Sequence, residues 1–216
     1  MSGTLANGKT LLQALKRAAG SGRVGLAIPV GRPVSGYLRV IPTAAGQLDP
    51  IDLQLLSEWR NKYVTSFLTE FHAHPERTAD WLTEYVHDND SKILFMLEDL
   101  HGTRLGHVGI AFIDWASGYG EADAIVSGGD SPPGLMKLAL QTSLAWVRDQ
   151  LGIQTIAVRV RSDNSALDFY RKVGFQETKR ICLRKEFVAD GIAWHEDPSL
   201  SEVEPSLVYM IYEASA

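Results

Sequence analysis

The chain of 216 residues carries 21 Lys and Arg against 26 Asp and Glu, a net charge of -5, and is 45% hydrophobic. Such a chain builds a core without disulfide or metal staples, and its negative balance disfavours nucleic acid and anionic lipid as partners. Cys182 is the single cysteine, no Cys/His cluster has zinc spacing, and no apolar run reaches the roughly 18 residues of a membrane span, so a metal-free protein of the reducing cytoplasm is expected.

Leu11, Leu15 and Ala18 recur at helical spacing before Gly20, Ser21 and Gly22. This predicts a short amphipathic helix in an N-terminal extension, residues 1–36, ahead of a main domain of residues 37–216. Gln13, Lys16 and Arg17 interrupt the apolar stretch, which excludes a secretory signal. Residues 37–41 have strand character. Asp49 before Pro50 is a helix start, and Leu53, Leu56, Trp59 and Tyr63 give that helix one apolar face. A loop over residues 66–74 leads to Pro75 and a second helix, with Trp81, Leu82, Tyr85 and Val86 as its buried stripe.

Residues 92–98 and 104–112 read as a hairpin around the turn at 99–103. The next strand follows Gly118, Tyr119 and Gly120, and alternation places Glu121, Asp123 and Ile125 on one face and Ala122, Ala124 and Val126 on the other. A turn-rich loop at 128–134 then enters a long helix with Met136, Leu140, Leu144, Val147 and Leu151 buried and Gly152 as its stop. With the strand at 155–160 this makes a right-handed βαβ unit. Residues 162–165 cap a short helix carrying Ala166, Phe169 and Val173 on one side, ended by Gly174. The last strands, 175–187 and 208–212, flank an irregular acidic stretch with Glu196, Asp197, Glu202 and Glu204. The expected class is mixed α/β, a sheet with helices on both faces.

A helix start reached from a strand through a glycine-bearing loop exposes unpaired N–H groups, a ready phosphate site, and Gly134 stands at such a junction. Further along, Ala166, Tyr170, Gly174 and Phe175 fall in register with the N-x-x-A-x-x-x-Y-x-x-x-G-F motif, and residues 162–175 closely resemble that segment of the GCN5-related N-acetyltransferase (GNAT) family. The order of elements over residues 37–213 is similar to that fold, a mostly antiparallel sheet whose one central parallel pair splays for coenzyme A. Asp163 fills the family's asparagine position and Asn164 lies one place late, so either is a cofactor contact. Ser131, Pro132, Pro133, Gly134, Leu135 and Met136 stand where the family has Arg or Gln, two residues, Gly, one residue, then Gly or Ala, so only the first glycine survives. The resemblance implies an acetyl-CoA-dependent N-acetyltransferase with Ile125, Val126 and Ser127 along the pantetheine, and Ser131, Gly134, Leu135, Met136 and Lys137 at the pyrophosphate. Tyr170 is then the proton donor to the leaving thiolate.

An amine attacks only when neutral, so a base is needed near the acceptor. Asp123 ranks first, with Glu121 and His107 behind it. Arg60 and Asn61 fall off the apolar stripe of their helix and, with Glu70, are the acceptor-binding candidates. A helix bearing Trp59, Arg60 and Asn61 is similar to those of ribosomal-protein and nucleotide-amino-sugar acetyltransferases. The expected acceptor is a small-molecule amine, first a nucleotide-linked amino sugar. A protein N-terminal acetyltransferase and a CoA-binding module with little catalysis are the alternatives, and a homodimer is allowed.

Overall fold

The computed structural model describes residues 2–20, 27–201 and 205–213. Ser21 and Gly22 of the expected linker, and Glu202 and Glu204 of the acidic stretch, lie outside these. Five α-helices and ten strands are described: α1 (Ser2–Ala18), β1 (Ala27–Val30), β2 (Gly36–Val40), α2 (Pro50–Lys62), β3 (Thr69–Phe71), α3 (Pro75–Asp80), β4 (Ile93–Glu98), β5 (Arg104–Asp114), β6 (Tyr119–Ser127), α4 (Leu135–Trp146), β7 (Thr155–Arg161), α5 (Leu167–Val173), β8 (Phe175–Val188), β9 (Gly191–Glu196) and β10 (Ser206–Tyr212). No helix among the described residues is long and apolar enough to cross a membrane.

Local chemistry accounts for the helix ends. The Asp49 carboxylate accepts from the N–H of Ile51 at 2.8 Å and of Asp52 at 3.4 Å, so α2 begins where an acid precedes proline. Gly152 closes the α4 segment with φ 78°, the left-handed conformation that suits glycine. α3 and α4 each run on as a wider π-type turn, Trp81–His87 and Val147–Leu151. A wider turn rotates less per residue. Leu82 and Val86 therefore stay buried while Tyr85, expected in the stripe, is exposed.

The strands lie in the order β1-β2-β4-β5-β6-β7-β10-β8-β9-β3, and β6 with β7 is the parallel pair. One sheet face packs on α1, α4 and α5, through Ile93, Phe95, Ile110, Ala122, Ile156, Val158 and Met210. The other packs Leu94, Met96 and Val126 against Leu56 and Trp59 of α2 and against Leu82 and Val86. β1 lies inside the segment expected to be an extension, paired antiparallel with β2. Helix α1 joins the core as well. Leu12 is fully buried, and a Cβ at Gly8 would sit 2.2 Å from the Leu151 carbonyl oxygen, which shows how closely the two backbones cross. Lys16 reinforces the contact by donating to the carbonyls of Val86 and Asn89.

Two bulges interrupt the β5–β6 ladder. Between the pairs His107–Val126 and Gly109–Asp123, β6 holds one residue too many, and Ala124 there has φ 49°. Between Ala111–Glu121 and Asp114–Tyr119 the extra residue is on β5, where Phe112 has φ 52°. Each bulge inverts the alternation beyond it. Ala122 and Ile125, three apart, face the same core, whereas Ala124 and Val126 belong to the α2 side. Ile125 thus parts from Glu121 and Asp123, contrary to strict alternation.

Candidate active site

β6 and β7 pair only from Tyr119–Thr155 to Glu121–Ala157. Past that point β6 stays with β5, while β7 follows β10 through Arg161. The two strands part, and a wedge opens between their facing edges just where the Ala124 bulge lies. A non-glycine residue at positive φ costs on the order of 1–3 kcal/mol, so the surrounding structure has to hold it. His107 is one such support: its ring hydrogen-bonds the Ala124 backbone and stacks on Trp59 at 6.0 Å and 21°. Burial pulls the imidazole down to about 4, against the opposing effects of the Ala124 bond and the Asp123 charge, so the ring is neutral near pH 7. Its Nδ1 is buried with no hydrogen-bond partner among the described residues.

At the mouth of the wedge stands Asp123, half-buried, with its carboxylate 3.1 Å from Lys92 Nζ. Tyr170, on α5, is 7% exposed, packs edge-on to Phe175 at 5.9 Å, and its hydroxyl makes no hydrogen bond among the described residues. Burial pushes the phenol well above the ordinary tyrosine value, and the Asp123 charge pushes the same way. Such a group keeps its proton. Glu121 lies one turn of the pleat earlier, where β6 and β7 still pair, and its carboxylate is taken by Arg159 Nε at 2.7 Å and Tyr119 Oη at 2.8 Å. The Glu121 carboxylate, named as a candidate base from the sequence, is thus engaged by two donors.

Gly128 opens the loop to α4 and lies against the Trp59 ring, where a Cβ would come within 1.9 Å of Cε2. Gly134 is the helix N-cap with φ 85° and open space around it. The α4 ladder starts with the Leu138 N–H donating to Gly134 O at 3.0 Å, which leaves the Met136 and Lys137 amides at the helix end. The Leu135 amide is not available there. It donates to Pro132 O at 3.0 Å, a turn that the adjoining prolines favour. Ser131 Oγ is buried with no partner, an orphaned hydroxyl inside the same loop. Free amides, an open glycine and an unpaired hydroxyl together fit a pyrophosphate. Ile125 and Val126 turn their side chains into the two cores, so they offer the wedge backbone only, and the Ser127 carbonyl accepts from Tyr63 Oη at 3.0 Å.

The two candidates at the asparagine position divide the local work. Asp163 receives Arg161 at 3.0 and 2.7 Å, while Asn164 Oδ1 accepts the Ala166 N–H at 2.9 Å in the turn ahead of α5, whose N-cap, Ala166, has no side-chain cap bond. The acceptor candidates are also occupied. Arg60 lies between Phe67 and Phe71, 4.0 and 4.3 Å from their ring centres, and donates to Thr69 O at 2.6 Å. Burial, helped by Arg77, lowers its pKa to about 10. Asn61 binds both backbone groups of Ala73 at 2.8 Å. Glu70 Oε1 accepts from Arg161 at 2.7 Å and Trp194 Nε1 at 2.6 Å; burial pushes its pKa up, but these bonds outweigh it and hold the carboxyl below its ordinary value. Asn61 and Glu70 thus spend their polar ends on neighbouring residues, whereas Arg60 Nε stays buried with no hydrogen-bond partner among the described residues.

Arg161 and Trp194 escaped the sequence reading, as did β3 and β9. Three-residue β3 has no periodicity to detect, yet it pairs with β9 from Thr69–Ala193 to Phe71–Gly191. Arg161 ties this flap to the end of β7: it also donates to Phe67 O at 3.2 Å and lies 4.5 Å from the Trp194 ring centre. Among the described residues no three His, Cys, Asp or Glu side chains converge as metal ligands.

Comparison with solved structures finds the same fold at low identity. The spermidine N-acetyltransferase of Vibrio cholerae, in a complex with CoA and spermine, superposes with a TM-score of 0.62 at 17% identity, over 82% of this chain and 94% of that one. A GCN5-related N-acetyltransferase from Brucella melitensis gives 0.62 at 18% identity, over 85% and 77% of the two chains. Comparison with curated protein sequences gives no match. The acetyltransferase (GNAT) domain family matches residues 40–176, more than half of the chain. That span runs from the end of β2 through the splayed β6–β7 pair and the motif on α5, and the chain belongs to this family, an acetyl-CoA-dependent N-acetyltransferase.

Proposed function

We propose that the chain acetylates the primary amine of a small molecule, presented on the α2 side of the sheet against Asp123. The observation that carries this reading is the β3–β9 pairing, which, with the Arg161 ion pairs to Glu70 and Asp163, walls off the cleft on the side where an extended peptide would need an open groove. Acetyl-CoA supplies the activated acyl group. The backbone of Ile125 or Val126 offers an N–H to the carbonyl oxygen on which charge develops, Asp123 takes the proton of the attacking amine, and Tyr170 protonates the sulfur. A nucleotide-linked amino sugar is the first acceptor to test, and a polyamine the second, because solved neighbours carry spermidine acetyltransferase names. A thiol-release assay with acetyl-CoA against amino-sugar nucleotides, polyamines and N-terminal peptides tests the reading. Turnover confined to peptides overturns it.

The pyrophosphate assignment has its own measurement. Gly134→Ala imposes a side chain at φ 85°, and Gly134→Glu adds a negative charge to the same strain. Calorimetry should show CoA affinity lower in the glutamate variant than in the alanine variant by at least about tenfold. Equal affinities would place the phosphates elsewhere.

A further inference from the structure

Among the described residues two non-glycine positions have positive φ, Ala124 and Phe112. The Ala124 bulge belongs to the wedge. Phe112 has no such role, yet it is the more strained choice, because a bulky side chain tolerates this region poorly. Strict alternation after Ile110 would turn Phe112 into the core; the bulge buries Ile113 instead and leaves Phe112 55% exposed. The fold accepts strain and loses the burial of an aromatic ring, and what it gains is the ring's position.

That position borders a pocket of about 420 Å³ lined by Asn89, Ser91, Lys92, Ala111, Phe112 and Ile113. Lys92 joins the pocket to the reaction centre, since its ammonium also contacts Asp123 at 3.1 Å. The Arg159 guanidinium lies 4.6 Å from the Phe112 ring centre. Charge along this strip is arranged in pairs, Lys92 with Asp123 and Arg159 with Glu121. A polycation meets no unpaired carboxylate on these two strand positions and two cations beside them. An oxyanion meets the N–H donors of Lys92 that are left by Asp123 and by the Trp81 ring, whose centre lies 5.3 Å from Nζ.

We propose that this pocket is a subsite for the end of the acceptor remote from its amine, taking a planar ring stacked on the face of Phe112 that Arg159 leaves open, with an oxyanion held by Lys92. The proposal rests on the reading that the acceptor amine is presented at Asp123, and it assigns the acceptor to molecules that carry both a flat ring and an anionic group.

Titration of UDP and of uridine into the CoA-saturated protein tests it. UDP should bind, and Phe112→Gly should weaken it by about five- to a hundredfold, the usual range for one stacked ring. Phe112→Tyr, which keeps the ring, should hold the affinity. Lys92→Met should abolish the preference for UDP over uridine. Glycine relaxes the backbone at this φ, so the unfolding temperature of Phe112→Gly should not fall. Equal UDP affinity in the wild type and Phe112→Gly, or no binding at about 1 mM, overturns the proposal. A Phe112→Gly protein that changes oligomeric state while binding UDP as before also overturns it and makes the ring an interface between copies. Thiol release separates the two readings. Turnover of an amine without UDP binding sinks the subsite alone, whereas absence of thiol release with every amine sinks the acyl-transfer reading whatever UDP does.

Discussion

Tyr170→Phe is expected to lower turnover by about ten- to a thousandfold, below the roughly hundred- to ten-thousandfold of full acid–base catalysis because water protonates part of the departing thiolate, while leaving the fold and CoA binding in place. The ring supplies the packing against Phe169 and Phe175, and phenylalanine keeps it; the deleted hydroxyl has no hydrogen-bond partner among the described residues, so its loss orphans nothing. Burial and the Asp123 charge both raise the phenol, which keeps it protonated well past the pH where an ordinary tyrosine ionises. The alkaline limb of turnover assigned to this group should therefore lie above that of an unperturbed tyrosine. A thioester with a less basic leaving thiol needs less protonation, and with it the defect should shrink. An equal loss with both thiols, under conditions where chemistry limits the rate, would return Tyr170 to a packing role.

For Asp123→Ala the expected loss is larger, about a hundred- to ten-thousandfold in turnover, because the attacking amine keeps its proton without a base. Asp123 is the carboxylate at the open part of the wedge, and its partner Lys92 leaves it half-buried, whereas the Glu121 carboxylate is enclosed by Arg159 and Tyr119. Three readouts separate a base from a merely structural charge. Formate added to Asp123→Ala should restore part of the rate, and the defect should narrow as pH rises toward the acceptor's own pKa, where neutral amine forms in solution. CoA affinity should hold, since no cofactor contact is assigned to this side chain. A rate within about threefold of the wild type would remove Asp123 from the chemistry.

What the chain states locally, the structure repeats. Asp49 before Pro50, and Gly152 and Gly174 as stops, depend on hydrogen bonds and φ values within a few residues, so they were legible without a partner; the cap expected at residues 162–165 was not, since the N-cap of α5 is Ala166, without a side-chain cap bond. The register of Ala166, Tyr170, Gly174 and Phe175 was legible in the same way, because one helix and the strand after it carry the whole pattern.

The bulges, the short edge strands and the partners of the polar groups around them were not legible, and the reason is range. Whether Ala124 and Phe112 bulge depends on the register between two strands, a choice shared with the cores packed on either face, and alternation along β6 alone placed Ile125 wrongly. Pairing of β3 with β9 joins residues more than a hundred positions apart and leaves no periodic trace in a three-residue strand. Arg60, Asn61 and Glu70 stand off a stripe or in a loop, and nothing local shows the bonds they make to Thr69, Ala73, Arg161 and Trp194. By itself the sequence determined the family and the cofactor. Tertiary structure alone decided which polar groups remained unspent, because a buried donor or acceptor takes the partner that folding brings to it, and sequence distance does not limit that choice.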